Sequence, residues 1–422
     1  MSEIRIRGLC PLKGEIAIQG SKNAALPMMA ASVLHKGTTV LTHVPRIQDV
    51  FCMMGILESM GCRCRLEGHQ LEIDAADLTS VSIPEHYIKA MRSSIILLGP
   101  LLGRFGEAVT SYPGGCSIGR RPIDLHLEAL RRLGAGIREE DGKILASAGR
   151  LVGAGIRFGF PSVGATENAL MAAVLAEGTT VIRGAAREPE IQELSRMLNG
   201  MGARIRGAGT DVIQVEGVKT LRDTQVRVSG DRIAAGTYIA CVMAAGGRIC
   251  LRQTEPESMT AVLSAFSRMG ARIQAGGETV EASMDGRPAA IDLRTSPYPG
   301  FPTDLQSPAL AVLASGRGTS CLEETVFEGR FATARELAKM GARIRVEGSR
   351  AIVEGRFPLT GTRVEAPDLR GGAALAAAAM AAEGETVIGQ CRHIFRGYED
   401  ICRDLAALGV SIQRESEATW VE

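Results

Sequence analysis

Aromatic side chains are scarce in this sequence: Phe, Trp and Tyr make up 4% of 422 residues, with a single Trp. Packing therefore falls to small side chains, and 50 glycines make turns frequent. Charge of one sign is lacking too. A net charge of +1 sets up no overall field toward nucleic acid or an anionic membrane, so an anionic ligand needs a local cluster of Lys and Arg. Long apolar runs are missing. The Ala-rich stretches Ala24 to Val33 and Ala373 to Ala382 are too short to span a bilayer, and Met1 to Arg7 carry no apolar signal core. The ten cysteines (Cys10, Cys52, Cys62, Cys64, Cys116, Cys241, Cys250, Cys321, Cys391 and Cys402) form no Cys-x-x-Cys pair and have no His at zinc spacing. These absences argue against a disulfide framework, a zinc module and a membrane span. They lead to the expectation of a cytoplasmic protein with most thiols buried as small hydrophobes.

What is present is the balance of an ordinary globular chain, 45% hydrophobic and 23% charged. The length exceeds one hydrophobic core, so two domains of roughly 200 residues are expected. Internal repetition is the strongest signal. A long apolar residue, a Gly and a small residue precede an alternating segment at Met60-Gly61-Cys62, Leu133-Gly134-Ala135, Met201-Gly202-Ala203, Met269-Gly270-Ala271, Met340-Gly341-Ala342 and Leu408-Gly409-Val410. The interval is about 70 residues, longer than the usual solenoid periods. A second marker lies about 25 residues ahead of each, at Gly37, Gly106, Gly178, Gly247, Gly318 and Gly384, each followed by a short β-like run.

One unit then reads as an Ala-rich helix capped by Gly, a strand, an amphipathic helix such as that with Ile191, Leu194, Met197 and Leu198 on one face, and two short strands. Each unit is a small mixed α/β sheet with helices on one side. Six units divide into three and three, with helices inside and sheets outside, and a break falls near Val228 to Asp231. The first strand, Ile4 to Ile6, and the end, Ala418 to Val421, are expected in a sheet of the second half.

Functional loops interrupt a regular scaffold. In Gln19-Gly20-Ser21-Lys22-Asn23, Lys22 falls at a helix N-terminus, where dipole and ammonium both favour an anion; no Gly-x-x-x-x-Gly-Lys precedes it, so it is not a P-loop, and a solvated Lys after a turn is the plain alternative. In Tyr112 to His126, glycines surround Cys116 just before Arg120 and Arg121, a setting that lowers a thiol pKa; Pro122 suits the first position of the next helix, and Asp124 follows. In Tyr298 to Leu305, two prolines and a Gly deliver Asp304 to a helix start, as an N-cap or as a general base. Arg92, Arg370 and Arg396 are lone guanidiniums, the first two opening apolar helices, where each needs a carboxylate or a bound anion.

These motifs carry a resemblance. Gly20-Ser21-Lys22-Asn23, Pro113 to Gly119, Arg121-Pro122, Asp124-Leu125-His126, Ser162 to Thr166, Ala186 to Ile191, Asp231-Arg232-Ile233, Phe301 to Asp304, Val326-Phe327-Glu328, Asp368-Leu369-Arg370 and Arg396-Gly397-Tyr398 run in the order found in the UDP-N-acetylglucosamine enolpyruvyl transferases. The chain resembles that family over essentially its whole length. The resemblance implies a two-domain inside-out α/β barrel of six βαβαββ-like units, three per domain. One domain would comprise 1–20 and 230–422, completed by the N-terminal strand; the other, 21–229, would carry the Cys116 loop.

It also implies a reaction: the sugar 3-hydroxyl adds to C2 of phosphoenolpyruvate, C3 is protonated, and phosphate leaves. This is the first committed step of peptidoglycan synthesis. Cys116 would be the general acid, the site of a covalent phospholactoyl adduct and the target of fosfomycin; Asp304 would take the hydroxyl proton, with Lys22 and Arg396 completing the catalytic set. Lys22, Asn23, Arg121, Arg370 and Arg396 would hold phosphoenolpyruvate. Asn23, Arg92, Arg121, Pro122, Ile123, Asp124, Leu125, Ser162, Val163, Gly164, Asp304 and Val326 would hold the UDP-sugar. No metal, organic cofactor, nucleic acid, membrane or obligate protein partner is implied. Phe160, Gln48 and Gly329 depart from residues common in the family (Lys, Lys and Asn), which bears on peripheral contacts. Two other readings stay open: the sister transferase acting on shikimate 3-phosphate, which does not rely on a Cys loop, and a catalytically silent or regulatory paralogue on the same scaffold.

Overall fold

Every repeat turns on the same glycine. In a computed structural model describing residues 3–112 and 123–415, Gly61, Gly134, Gly202, Gly270, Gly341 and Gly409 all have φ between +84° and +108°, a region costly for any residue with a Cβ. Each follows a helix whose end is closed by the same pair of backbone bonds. After Pro189–Gly200, for example, Gly202 N donates to Asn199 O at 3.0 Å and Ala203 N to Leu198 O at 2.9 Å, and the chain leaves as the strand Arg204–Arg206. The second marker differs from expectation. Gly106 caps Leu98–Phe105 in the left-handed conformation, but Val163–Ala173 ends at Val174, and Gly178 starts the following strand, Thr179–Arg183, instead.

The described residues form six small sheets on one plan, with a further two-stranded pair, Leu359–Thr360 with Ala382–Glu383. In the third sheet, Thr179–Arg183 runs antiparallel to Val212–Glu216 (Val181 opposite Gln214) and parallel to Gly155–Arg157 (Ile182 opposite Ile156). The second sheet has the antiparallel strands Glu107–Ser111, Lys143–Ser147 and Gly136–Glu140, with only an isolated parallel bridge from Ser82 to Val109. In the sixth, the hairpin position is filled from the other end of the chain: Glu3–Arg7 lies between Glu385–Gly389 and Ser411–Glu415. Residues 418–421 lie outside the described residues.

Chain contacts divide the described residues into two compact units, 3–19 with 230–415 and 20–112 with 123–229. In the second, Thr224–Arg227 pairs in parallel with Thr38–Thr42, so the last strand of the unit returns to its first sheet. Each unit has its own core around helices that are apolar on all sides. All ten residues of Gln306–Ser315 are buried, as are Ile233 to Ala244 and Arg370 to Met380. Such helices cannot stand in water; burial of each Leu or Ile contributes about 1.5–3 kcal/mol. Small residues let them approach: a Cβ on Gly99 would sit 2.4 Å from the Asn168 carbonyl oxygen. None of the described helices is long and apolar enough to cross a membrane.

Fewer thiols are buried than expected. Cys62, Cys241, Cys391 and Cys402 are buried, and burial pushes the Cys62, Cys241 and Cys402 thiols up to about 12. Cys52 and Cys64 are half-buried against the edge of a core, Cys250 and Cys321 are half-buried because alternation along their strands turns them away from it, and Cys10 is exposed.

Candidate active site

The unit of residues 20–112 and 123–229 starts its first helix, Lys22–Ala31, with a Ser21 cap whose Oγ accepts from Ala24 N at 3.3 Å. Lys22 is the first helical residue, as expected, but its ammonium already has an anion: Nζ lies 2.6 Å from Oδ2 of buried Asp49. Asp49 stands in the first turn of Gln48–Ser59, where the helix dipole favours a carboxylate. Sequence reasoning missed it, although an acid one residue into a helix was a usable signal. Asn23 is half-buried beside Lys22.

Arg92 opens the 3-10 turn Arg92–Leu97, which leads directly into Leu98–Phe105. Ser162 caps Val163–Ala173, accepting from Ala165 N at 3.4 Å, and Val163 and Gly164 form its first turn. Ile123 is the cap position of Asp124–Arg132, with Asp124 exposed and Leu125 half-buried. This helix starts at Asp124; Pro122, expected at its first position, lies outside the described residues.

One side chain joins these three elements. Asn168, with no exposed surface, accepts from Gly99 N at 2.7 Å, donates to Ile95 O at 3.0 Å, and meets His126 Nδ1 at 2.7 Å. Gly164 has to be Gly here, since a Cβ would lie 2.9 Å from His126 Cε1. Asn168 was not singled out from sequence. Nearby on the same helix, the Glu167 carboxyl is pushed well above the ordinary range, first by burial and then by the charges of Glu190 and Glu188.

In the unit of residues 3–19 and 230–415, Asp304 lies in the turn Thr303–Leu305 ahead of Gln306–Ser315. It is not an N-cap. Its Oδ1 accepts from Arg330 Nη2 at 2.8 Å and its Oδ2 from Arg370 Nη2 at 3.1 Å. Both guanidiniums are almost wholly buried, whereas the Asp304 side chain is 27% exposed. Arg370 opens the helix Leu369–Met380, which Asp368 caps by accepting from Arg370 N and Gly371 N. Burial is the largest influence and works against the Arg370 charge, but Asp304, Tyr398 and Asp231 together outweigh it, and the pKa is raised. Arg370 also lies over the Tyr398 ring, whose hydroxyl is 2.7 Å from Thr237 Oγ1. Arg330, missed by sequence reasoning, has a second donor on Thr303 Oγ1 at 3.0 Å.

Arg396 ends the turn Cys391–Arg396 and is half-buried. Burial, then the charges of Arg392 and Arg396, push His393 below the ordinary imidazole range. Gln19 holds the segment that follows: its Nε2 donates to Gly397 O at 2.8 Å and its Oε1 accepts from Glu399 N at 2.8 Å. Val326 is half-buried just beyond the strand Thr319–Glu323.

Lys22, Asn23, Arg92, Ile123, Asp124, Leu125, Ser162, Val163 and Gly164 thus belong to one unit, and Asp304, Val326, Arg370 and Arg396 to the other. Cys116, Arg120, Arg121 and Pro122 lie outside the described residues. Of the departing positions, Phe160 is exposed, Gln48 starts a helix beside Asp49, and Gly329 is exposed next to Arg330. Among the described residues, no three His, Cys, Asp or Glu side chains converge as a metal site.

The family described as EPSP synthase (3-phosphoshikimate 1-carboxyvinyltransferase) matches residues 6–405. The UDP-N-acetylglucosamine 1-carboxyvinyltransferase of Halorhodospira halophila is 47% identical over 415 residues, covering 98% of this chain and 99% of that protein. The one from Acinetobacter baylyi is 46% identical over 418 residues, covering 99% and 100%. Among solved structures, the enolpyruvyl transferase NikO from Streptomyces tendae superposes with a TM-score of 0.90 at 24% identity, covering 99% of each chain. EPSP synthase from Acinetobacter baumannii gives 0.75 at 19% identity, covering 99% of this chain and 100% of that one. These two likenesses speak to the fold, a mixed α/β architecture of small sheets. The near-full-length identity to the curated relatives goes further: the chain belongs to the enolpyruvyl transferase family, among the UDP-N-acetylglucosamine 1-carboxyvinyltransferases.

Proposed function

We propose that the chain transfers the enolpyruvyl group of phosphoenolpyruvate to the 3-hydroxyl of UDP-N-acetylglucosamine, releasing phosphate, on a two-domain inside-out α/β barrel with three units per domain. The observation that carries this is the near-full-length likeness to enzymes of that name, with Lys22, Cys116, Asp304 and Arg396 all in place. The reaction is an addition followed by an elimination. The sugar oxygen bonds to C2 as its proton leaves and C3 gains a proton. Then the bond from C2 to the phosphate oxygen breaks as C3 gives up a proton, leaving the enol ether.

Asp304 takes the hydroxyl proton in this reading, and its surroundings support the role. A carboxylate has about four lone-pair positions. Arg330 and Arg370 occupy one on each oxygen, which fixes the group while its exposed portion stays reachable. The same guanidiniums suit a substrate carboxylate, which takes parallel donors from arginine. When phosphoenolpyruvate competes for Arg370, a lone pair of Asp304 is released beside the hydroxyl it must deprotonate. Lys22, Arg121 and Arg396 balance the phosphate charge as it moves toward the leaving group. Cys116 delivers the proton to C3 and is the residue fosfomycin would alkylate. The elements tied by Asn168 form the UDP-sugar side, with Arg92, Asp124, Leu125 and the Ser162 cap. The phosphoenolpyruvate requirement sets the reaction in the cytoplasm, at the start of peptidoglycan synthesis.

The test is phosphate release with phosphoenolpyruvate and either UDP-N-acetylglucosamine or shikimate 3-phosphate. Release with the UDP-sugar alone is expected. Release with shikimate 3-phosphate alone would overturn the substrate, and silence with both, from folded protein, would make the chain a non-catalytic paralogue.

A further inference from the structure

Glu324 follows the strand Thr319–Glu323 and is 2% exposed. A buried carboxylate is costly unless donors meet its oxygens. Here Oε1 accepts from Val326 N at 2.8 Å and Phe327 N at 3.1 Å, and Oε2 accepts from Thr303 Oγ1 at 2.9 Å. The Thr303 oxygen in turn accepts from Arg330 Nη1 at 3.0 Å, and Arg330 Nη2 donates to Asp304 Oδ1 at 2.8 Å. The direction of this chain is fixed at both ends, because a guanidinium only donates and a carboxylate only accepts. Thr303 must therefore point its hydrogen at Glu324.

We propose that Glu324 is a positioning residue that holds the sugar contact at Val326 and the proton acceptor Asp304 in one frame. This rests on the roles given above to Val326 and Asp304. One oxygen folds Val326 and Phe327 back on the end of their strand. The other holds Thr303, the chain neighbour of Asp304, and through it the Arg330 that orients the Asp304 carboxylate. Two segments distant in sequence are thereby set by one buried group. A displacement of about 1 Å at a reacting group can cost about a hundredfold in rate, so this frame bears on turnover and not only on folding.

Glu324→Gln separates the two arms. The amide keeps an oxygen for Val326 N and Phe327 N but turns an NH2 toward Thr303, whose hydrogen then has no acceptor. Thr303→Val cuts the same arm from its other end, and Thr303→Ser restores it. Steady-state kinetics with UDP-N-acetylglucosamine should show kcat lowered about tenfold or more in Glu324→Gln and Thr303→Val, with KM for the sugar within about twofold. Thr303→Ser should stay within about twofold of wild type in both. Glu324→Ala, which cuts both arms, should also raise KM for the sugar about tenfold. Wild-type kcat in Glu324→Gln or Thr303→Val overturns the proposal, even if thermal stability falls; so does an equal kcat loss in Thr303→Ser. A wild-type chain that releases no phosphate removes the underlying reading and the proposal with it, whereas an active wild type with indifferent variants removes the proposal alone.

Discussion

Two candidate clusters, one in each unit, are held by opposite chemistry. In the unit of 20–112 and 123–229, a neutral amide, Asn168, ties together the elements that carry Arg92, Leu125 and Val163. In the unit of 3–19 and 230–415, a carboxylate, Asp304, sits between two buried guanidiniums. An amide with its donors and acceptor satisfied sets geometry and responds little to what binds. A carboxylate between arginines is held by charges that a substrate anion can compete for. The contrast suits a division between a side that fixes a bulky acceptor and a side where protons and negative charge move.

The largest test of this contrast is at Asp304. Asp304→Asn keeps the shape and removes the base, and kcat is expected to fall about a thousandfold, within the range for general acid–base groups. Stability should distinguish a second variant. Asp304→Ala removes the carboxylate that bonds both buried guanidiniums, Arg330 and Arg370, and urea unfolding should report a loss of about 3 kcal/mol. Near-normal turnover in Asp304→Asn would leave the network as scaffold and end the comparison. At Asn168 the order of effects should reverse. Asn168→Leu takes the acceptor from Gly99 N and one bond each from His126 Nδ1 and from Ile95 O, which keeps its bond from Leu98 N, so about 2 kcal/mol of stability should go. KM for the UDP-sugar should rise about tenfold while kcat changes less. A kcat loss as deep as that of Asp304→Asn would mean the neutral hub takes part in the chemistry.

How legible these networks were differs from how legible the scaffold was. The repeat shows in the sequence because Gly61 and its five counterparts must take positive φ, and few other residues do so cheaply. The all-buried helices show because Ala and Gly dominate both faces of Leu369–Met380. Misreadings came where a local rule was applied without its tertiary setting. Gly178 was taken for a helix cap and starts a strand; for Asp304, open between an N-cap and a general base, the spacing could not show the two arginines it bonds. Asn168 and Arg330 were invisible because their partners lie far away in sequence, whereas Asp49 offered the signal of an acid in a first helical turn. Asn168 meets Ile95 across 73 residues, and Arg330 meets Asp304 across 26. No spacing rule reports a bond of that kind.

Glu167 sharpens the contrast, since the helix that carries Asn168 also carries a buried acid whose pKa is raised. Its folded-state pKa is raised above the ordinary value of 4.5, so between that value and the folded one the native state holds a proton that the unfolded chain has lost. Stability from this group must then fall as pH rises above the ordinary glutamate range. Glu167→Gln removes the dependence. Its thermal midpoint should match wild type at pH 4 and exceed it increasingly toward pH 8. A gap that is constant with pH, or that favours wild type at high pH, would show that Glu167 ionises without penalty.

The smallest effect is expected where the units are alike. The residue after the repeat's Gly and Ala is an Arg placed directly opposite an acid of the neighbouring strand: Arg204 faces Glu216 in one unit, and Arg343 faces Glu354 in the other. All four side chains are more than half exposed, so solvent screens the pairs and each is worth at most about 1 kcal/mol. Glu216→Ala and Glu354→Ala should each change the unfolding free energy by less than about 0.5 kcal/mol, equally in both, and the change should vanish in molar salt. If one pair proved strong and the other weak, the difference between the units would extend through their frameworks. Equal small losses would confine it to the buried networks around Asn168 and Asp304, where a common repeat has been given two different interiors.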